Sequence, residues 1–273
     1  MVKKLLLLAI VTVLSVPAFA FAAVGDYMDF SFNTTSDGGL MIYNNYIYDV
    51  DESNRMIEIY DDTGSLIDTI GELSSSGNSS PVDITTDGTY IYITDNSDNE
   101  IYKYNLDGTY TGLHFDTAST GSTYLYGIVY DGQYLLTSDL KDYNIYKWST
   151  IGDAFGVIVN VKDECNIKPM GITFDGVNIW VSDMYYGISQ NICSINYDTL
   201  TFNFSFITSD NTFAKFITWN DGVFWIAQSL ISNIVKYEAP SCTVDMPWIG
   251  LSCGGGEGTS TPQVINPGAM LFF

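Results

Sequence analysis

The sequence predicts an all-β fold: one β-propeller of five four-stranded blades, closed by an N-terminal strand. Three observations predict it. The first is a repeated unit of strand, Asp-Gly turn, strand, polar loop and strand, seen in PVDITTDGTYIYITDNSDNEIYKYNLDG from Pro81 to Gly108. Its Asp-Gly pairs begin at Asp87, Asp131, Asp175 and Asp221, in steps of 44, 44 and 46 residues, and Asn44-Asn45 holds the same place 43 residues before the first. Self-similarity at about 40–50 residues with strand-only contents is the mark of a propeller with one blade per repeat. The second observation is that the segments between turns are rich in Tyr, Ile, Val, Phe and Thr, which suit a pleated, half-buried surface. The third is a complementary pair of irregularities: the last repeat lacks a fourth strand, and an unrepeated strand precedes the first repeat.

Taken in order, the chain opens with a basic start, Met1 to Lys4, then an apolar run from Leu5 to Val16 and small residues at Ala18, Ala20 and Ala22. That order reads as an export signal over residues 1–22. The run is too short to span a bilayer, which takes about 20 apolar residues. A retained N-terminal anchor is the alternative. The mature chain is then expected to be secreted or held at the cell surface, outside the cytoplasm.

The propeller is expected over residues 23–240. First strands are predicted at Leu40–Tyr43, Val82–Thr85, Gly127–Tyr130, Gly171–Phe174 and Phe216–Trp219. Second strands follow at Tyr46–Val50, Tyr90–Thr94, Tyr134–Ser138, Asn178–Ser182 and Val223–Ala227. Third strands are Arg55–Tyr60, Glu100–Asn105, Asn144–Trp148, Asn191–Tyr197 and Asn233–Tyr237. Fourth strands occur in four copies only: Ser65–Ile70, Thr109–Phe115, Ala154–Val161 and Thr201–Ile207. The strand Tyr27–Phe32 completes the fifth blade by pairing with Asn233–Tyr237, which leaves no unpaired edge there. A sixth blade is the alternative, and the tail has no room for its four strands. Residues 241–273 hold a Cys-bounded loop, a Gly/Ser/Thr-rich linker and an apolar end, Met270 to Phe273. That end is expected to fold back on the propeller or to serve self-association by strand addition.

Charge narrows the partners. Without Lys3 and Lys4 the chain carries 8 basic and 32 acidic residues, a net charge of −24. Nucleic acid and anionic membrane are excluded, since both are bound through Lys and Arg. Four cysteines in an exported chain point to two disulfides, and spacing favours Cys165–Cys193 and Cys242–Cys253 among three possible pairings.

The pattern G-I-x-x-D-G-x-x-I-W-V-S-D at Gly171–Asp183, followed by Ile195–Tyr197, resembles the NHL and YVTN-type propeller repeats of secreted proteins. Asp83–Asp95 with Ile101–Tyr104, and Gly127–Asp139, follow it closely. The resemblance covers Gly39 to Tyr237 and implies the propeller fold. It does not fix a function, because such repeats serve binding, scaffolding and catalysis alike. The first copy departs by lacking Asp-Gly, and the fifth by Gln228-Ser229 where the others end the second strand in Asp.

Candidate site residues fall into three groups. Asp95, Asp139 and Asp183 recur eight residues after each turn Asp, with Asp51 as the counterpart in the first copy. They either cap loops by accepting backbone N–H bonds or form a carboxylate ring able to hold Ca²⁺. Asp83 stands on an innermost strand where two other copies have Gly127 and Gly171, so its side chain is expected to face the channel, toward water, an ion or a ligand. Tyr126, Trp148, Tyr185 and Tyr186, with Tyr124, lie near loops or strand ends and could stack on sugar rings, or else pack in the core. Asn33, Asn78 and Asn203 begin glycosylation sequons.

Enzyme signatures are sparse. His114 is the one histidine and falls on a predicted outermost strand, and no GxSxG, Cys–His or phosphate-loop motif is present. A glycosidase pair of inner-strand acids is missing its second member. The expected role is therefore a non-catalytic extracellular module that binds a protein or a glycan on one propeller face, or a subunit of a surface assembly. The runner-up is a metal-assisted hydrolase or lyase at the channel mouth.

Overall fold

A computed structural model of the chain describes residues 27–36, 38–183, 191–207, 214–228 and 232–238. Their strands form five four-stranded antiparallel sheets arranged as a propeller. The N-terminal strand is β1 (Tyr27–Asn33). Blade 1 is β2 (Leu40–Tyr43), β3 (Tyr46–Asp51), β4 (Met56–Tyr60) and β5 (Leu66–Ile70). Blade 2 is β6 (Pro81–Thr86), β7 (Tyr90–Asp95), β8 (Glu100–Asn105) and β9 (Tyr110–Asp116). Blade 3 is β10 (Leu125–Tyr130), β11 (Leu135–Asp139), β12 (Asn144–Trp148) and β13 (Ala154–Asn160). Blade 4 is β14 (Pro169–Phe174), β15 (Asn178–Asp183), β16 (Asn191–Asn196) and β17 (Phe202–Ile207). Blade 5 is β18 (Ala214–Asn220), β19 (Val223–Gln228), β20 (Asn233–Glu238) and, outermost, β1.

Closure follows the expected route. β1 runs antiparallel to β20, with Ser31 opposite Val235 and Asn33 opposite Asn233. Inner strands touch around the full ring: β2 with β6, β6 with β10, β10 with β14, β14 with β18, and β18 with β2. The alternation of each strand then supplies one apolar face to each neighbouring blade. Ile91, Ile93, Tyr102 and Tyr104 of blade 2 pack against Val50, Ile57 and Ile59 of blade 1. Tyr92 and Ile101, from the opposite face, meet Leu125, Tyr146 and Trp148 of blade 3.

The Asp-Gly pairs are a partial correction. Asp-Gly is a pair suited to a two-residue hairpin, yet only blades 1 and 5 have one, with both residues at positive φ: Asn44 and Asn45 at 52° and 65°, Asp221 and Gly222 at 47° and 84°. Blades 2 to 4 have wider turns, since Thr86 pairs with Ile91, Tyr130 with Leu135 and Phe174 with Ile179. In these wider loops the carboxylate closes the turn. Asp87 Oδ1 accepts the Thr89 and Tyr90 amides at 2.8 and 2.7 Å, and Asp131 and Asp175 repeat the bonds, so the wider loop supports itself.

Lysines stack on aromatic rings of their own blade. Lys103 Nζ lies 3.9 Å from the Tyr90 ring centre, Lys147 3.9 Å from Tyr134, and Lys236 3.8 Å from Phe30. One helix was not anticipated: α1 (Val161–Cys165), capped by Asn160 Oδ1, which accepts the Lys162 and Asp163 amides. The Cys165–Cys193 disulfide ties it to blade 4. Cys242 and Cys253 lie outside the described residues. Among those described, no helix is long and apolar enough to cross a membrane.

Candidate functional site

Inner strands of blades 2 to 5 begin with a register irregularity, between Pro81 and Ile84, Leu125 and Ile128, Pro169 and Ile172, and Ala214 and Phe216. Such a bulge frees backbone groups at the channel end. A hydroxyl from the second strand collects them. Ser138 Oγ accepts the Gly127 amide at 2.8 Å and donates to Met170 O of the next blade at 2.5 Å. Thr94 does the same for the Asp83 amide and Tyr126 O, and Ser182 for the Gly171 amide and Lys215 O. These three hydroxyls, each preceding the recurrent Asp, were not singled out from the sequence. The Thr-Asp or Ser-Asp pair closing three second strands was the available signal.

One residue on, the aspartates cap loops. Asp95 Oδ2 accepts the Ser79 and Ser80 amides, and Oδ1 accepts Ser97 N and Oγ. Asp139 is fully buried, with Oδ2 on Ser122 Oγ, Thr123 N and Tyr124 N and Oδ1 on Lys141 N and Asp142 N, all at 2.7–3.0 Å. Burial pushes its carboxyl up, but those amides together hold it below the usual carboxylate range. Asp183 accepts the Lys168 amide at 2.9 Å. Asp51 holds Asn54 through its amide and side chain. Among the described residues, no group of three or more His, Cys, Asp or Glu is placed to hold a metal.

Asp83 departs from expectation. It is 3 % exposed, and its carboxylate accepts the amides of Ile84 and, in the next blade, Ile128, at 2.9 and 2.8 Å. The space it fills exists because Gly39 lacks a side chain: a Cβ there would come within 1.8 Å of Asp83 Oδ1. Asp83 is an inter-blade strut rather than a group in open channel water. Its burial, more than the nearby Glu52, pushes its carboxyl well up.

Trp148 is also corrected. It is 1 % exposed, packed between blades 2 and 3, with Nε1 donating to Thr137 Oγ1 at 2.9 Å. Trp148 ends β12, where alternation still turns its indole to the neighbouring blade. Tyr185 and Tyr186 lie outside the described residues. Asn78 is fully buried, so the folded protein offers no glycosylation site there, whereas Asn33 is exposed. His114 is where expected, on outermost β9, with Nδ1 on Tyr110 OH at 2.8 Å.

Tyr126 stands near the start of innermost β10. It is half-buried, its ring 6.5 Å from Phe216 in a stacked arrangement and 5.5 Å from Tyr124, which is 42 % exposed. Burial and then the Tyr124 and Glu52 neighbours push the Tyr126 phenol up to about 12. Beside it Lys215 Nζ meets Glu52 Oε1 at 2.8 Å and lies 5.2 Å from the Phe216 ring centre. This end of the inner strands therefore brings together the half-buried Tyr126 and buried Phe216 rings, the exposed Tyr124 and an ion pair linking blades 1 and 5. A separate groove of about 460 Å³ lies away from the axis on blade 2, between Tyr90, Lys103, Asn105, Tyr110, Thr111 and Leu113. It is open and mostly walled by outer strands.

No family model matches the sequence, and no curated protein matches it. Solved structures do. The glutaminyl cyclase of Myxococcus xanthus is similar with a TM-score of 0.60 at 9 % identity, over 79 % of this chain and 97 % of that one. A protein of unknown function from Bacteroides thetaiotaomicron gives 0.52 at 15 %, over 75 % and 60 %. Virginiamycin B lyase from Staphylococcus aureus gives 0.47 at 19 %, over 74 % and 66 %. At these identities the likeness is one of fold. The chain is a five-bladed β-propeller.

Proposed function

We propose that this propeller is a non-catalytic binding module of the NHL-like kind, exported from the cytoplasm, that takes a protein or a glycan at the channel mouth. The observation that carries the reading is the Tyr124–Tyr126 pair set beside the Lys215–Glu52 ion pair on a rigid rim. Exposed tyrosines bind with little loss of side-chain freedom and offer a flat apolar face with a polar tip. The rim is pre-organised, since Asp139 fixes the Tyr124 amide and Thr94 fixes the Tyr126 carbonyl. Such fixing lowers the cost of ordering on binding.

The solved neighbours include proteins named as enzymes, a cyclase and a lyase, yet the fold does not carry an activity with it. A metal-assisted hydrolase is the less favoured reading. Asp83, Asp95 and Asp139 already accept backbone amides, and among the described residues no three or more His, Cys, Asp or Glu stand together where they could hold a metal. Self-association through the C-terminal tail, residues 241–273, belongs to the same proposal, as those residues lie outside the described ones.

The test is a glycan array and a two-hybrid or display screen run in parallel with the full-length protein and with Tyr124→Ala and Tyr126→Phe. A hit that Tyr124→Ala weakens at least about tenfold, with an unchanged melting curve, supports the mouth as the site. Hits indifferent to Tyr124→Ala but lost on Asp-Gly turn variants would move the site to the opposite face. Light scattering of the chain with and without residues 259–273 reports self-association.

A further inference from the structure

Register picks out one place where blade 1 breaks the repeat. In each blade a cross-strand pair between second and third strands faces the preceding blade: Ile93 with Tyr102, Thr137 with Tyr146, Val181 with Cys193, and Ile226 with Val235. Blade 1 has Asp49 opposite Glu58 there. Both are buried, 1 % and 6 % exposed, in the seam where blade 1 meets blade 5 and the ring closes. Two carboxyls on directly opposed residues stand close enough to repel when both are ionised.

What covers them is the strap that joins β1 to β2. Ser36 Oγ donates to Asp49 Oδ2, and Thr35 Oγ1 donates to Glu58 Oε1 at 2.6 Å. Tyr60 OH donates to Glu58 Oε2 at 2.5 Å. The strap itself holds three blades: Thr34 N bonds Ser232 O of blade 5, Gly38 N bonds Val50 O of blade 1, and Gly39 N bonds Val82 O of blade 2. Asp49 Oδ1 is buried with no hydrogen-bond partner.

The surroundings hold no compensating cation among the described residues. Among the described residues the titratable groups around Asp49 are Glu58 and Tyr60 on β4 and Asp51 on its own strand; the described strap residues add hydroxyls. Blade 5 presents Phe32, Phe216, Trp225 and Ile234. Its lysines are engaged elsewhere, Lys236 over Phe30 and Lys215 on Glu52. Burial, then Glu58 and Asp51, push the Asp49 carboxyl up to about 8, against the strap hydroxyls that pull it down.

We propose that this seam is a proton-operated latch: a proton on Asp49 lets the strap seat over the acid pair and close the ring, and losing it leaves two adjacent buried carboxylates that loosen the strap and β1. The sign follows from linkage. A carboxyl with a raised value in the closed state keeps its proton where the open state has lost it, so opening becomes easier as pH rises from about 4 to about 8 and then levels off. One proton makes the opening equilibrium grow by up to about tenfold per pH unit across that window.

The experiment is amide hydrogen exchange on the full-length protein between pH 5 and 9, corrected for intrinsic chemistry. It reads Thr34, Gly38 and Gly39, with Gly127 as a reference elsewhere in the ring. The expected result is a steep pH-dependent loss of protection at the strap in the native protein, a flat profile in Asp49→Asn, and no such slope at Gly127. Should Asp49→Asn not fold, Glu58→Gln, which removes the second charge but leaves Asp49 buried, is expected to end the pH-dependent loss at a lower pH than in the native protein. Equal slopes in native and variant proteins would overturn the latch. So would Ca²⁺ restoring strap protection at pH 8 in the native protein but not in the variant, because the pair would then hold a cation rather than a proton.

Discussion

Replacing Asp139 with Ala tests whether the recurrent aspartates hold the propeller together or hold an ion. The carboxylate accepts four backbone amides, from Thr123, Tyr124, Lys141 and Asp142, and the Ser122 hydroxyl, while fully buried. Each bond to a charged acceptor contributes about 1.5–3 kcal/mol, and water entering the vacated loop recovers part of it. A net loss of about 3–4 kcal/mol is expected. For a domain of this size that lowers Tm by about 6–16 °C. Asp51→Ala, which breaks bonds to Asn54 alone, sets the scale at about 1 kcal/mol. The pH dependence has a definite sign. Because the folded carboxyl lies below its ordinary value, its contribution is present above about pH 4 and is lost as pH falls through the lower folded value. The gap between native and variant melting curves should therefore close in acid. Scanning calorimetry at pH 7 and pH 3, with EDTA and with Ca²⁺, reads all of this. A loss below about 1 kcal/mol, or a gap at pH 7 that vanishes on adding EDTA, would refute the capping account.

Three further outcomes follow from the same geometry. Ser138→Ala strands the buried Gly127 amide and Met170 carbonyl and should cost about 1–3 kcal/mol, seen as a lower urea midpoint with an unchanged slope. Gly127→Ala places a methyl 2.4 Å from Met170 O and 2.8 Å from Ser138 Oγ, so backbone must shift; a loss of about 1–3 kcal/mol is expected by the same denaturation assay. Removing the Cys165–Cys193 bridge by double Ser substitution opens a 28-residue separation and should cost about 3.5 kcal/mol on the chain-entropy estimate, matched by reductant acting on the native protein.

The sequence by itself determined the architecture, because a propeller is written in local terms. Strand alternation, turn residues and a fixed period each act over a few residues, and five copies average out the errors of any one. Closure was legible for the same reason: a missing fourth strand and an orphan strand are both countable. Even the loop-capping role of Asp95 and Asp139 was available as one of two readings, since an Asp ahead of a polar loop meets amides close to it in sequence. Tertiary structure alone decided where side chains from different blades meet. Asp83 was read as a channel residue because its strand is innermost; its carboxylate instead turns to the Ile128 amide, 45 residues on, into room left by Gly39. Trp148 was read as lying near a loop or strand end, and inter-blade packing buries it; Asn78, the start of a sequon, is buried as well. The Asp49–Glu58 pair passed unnoticed, because nine residues of sequence separate two acids that only strand register sets opposite each other, and only ring closure seals them from water. Local propensity fixes how each blade is made, but burial is a property of the neighbours, and the neighbours are assigned when the ring closes.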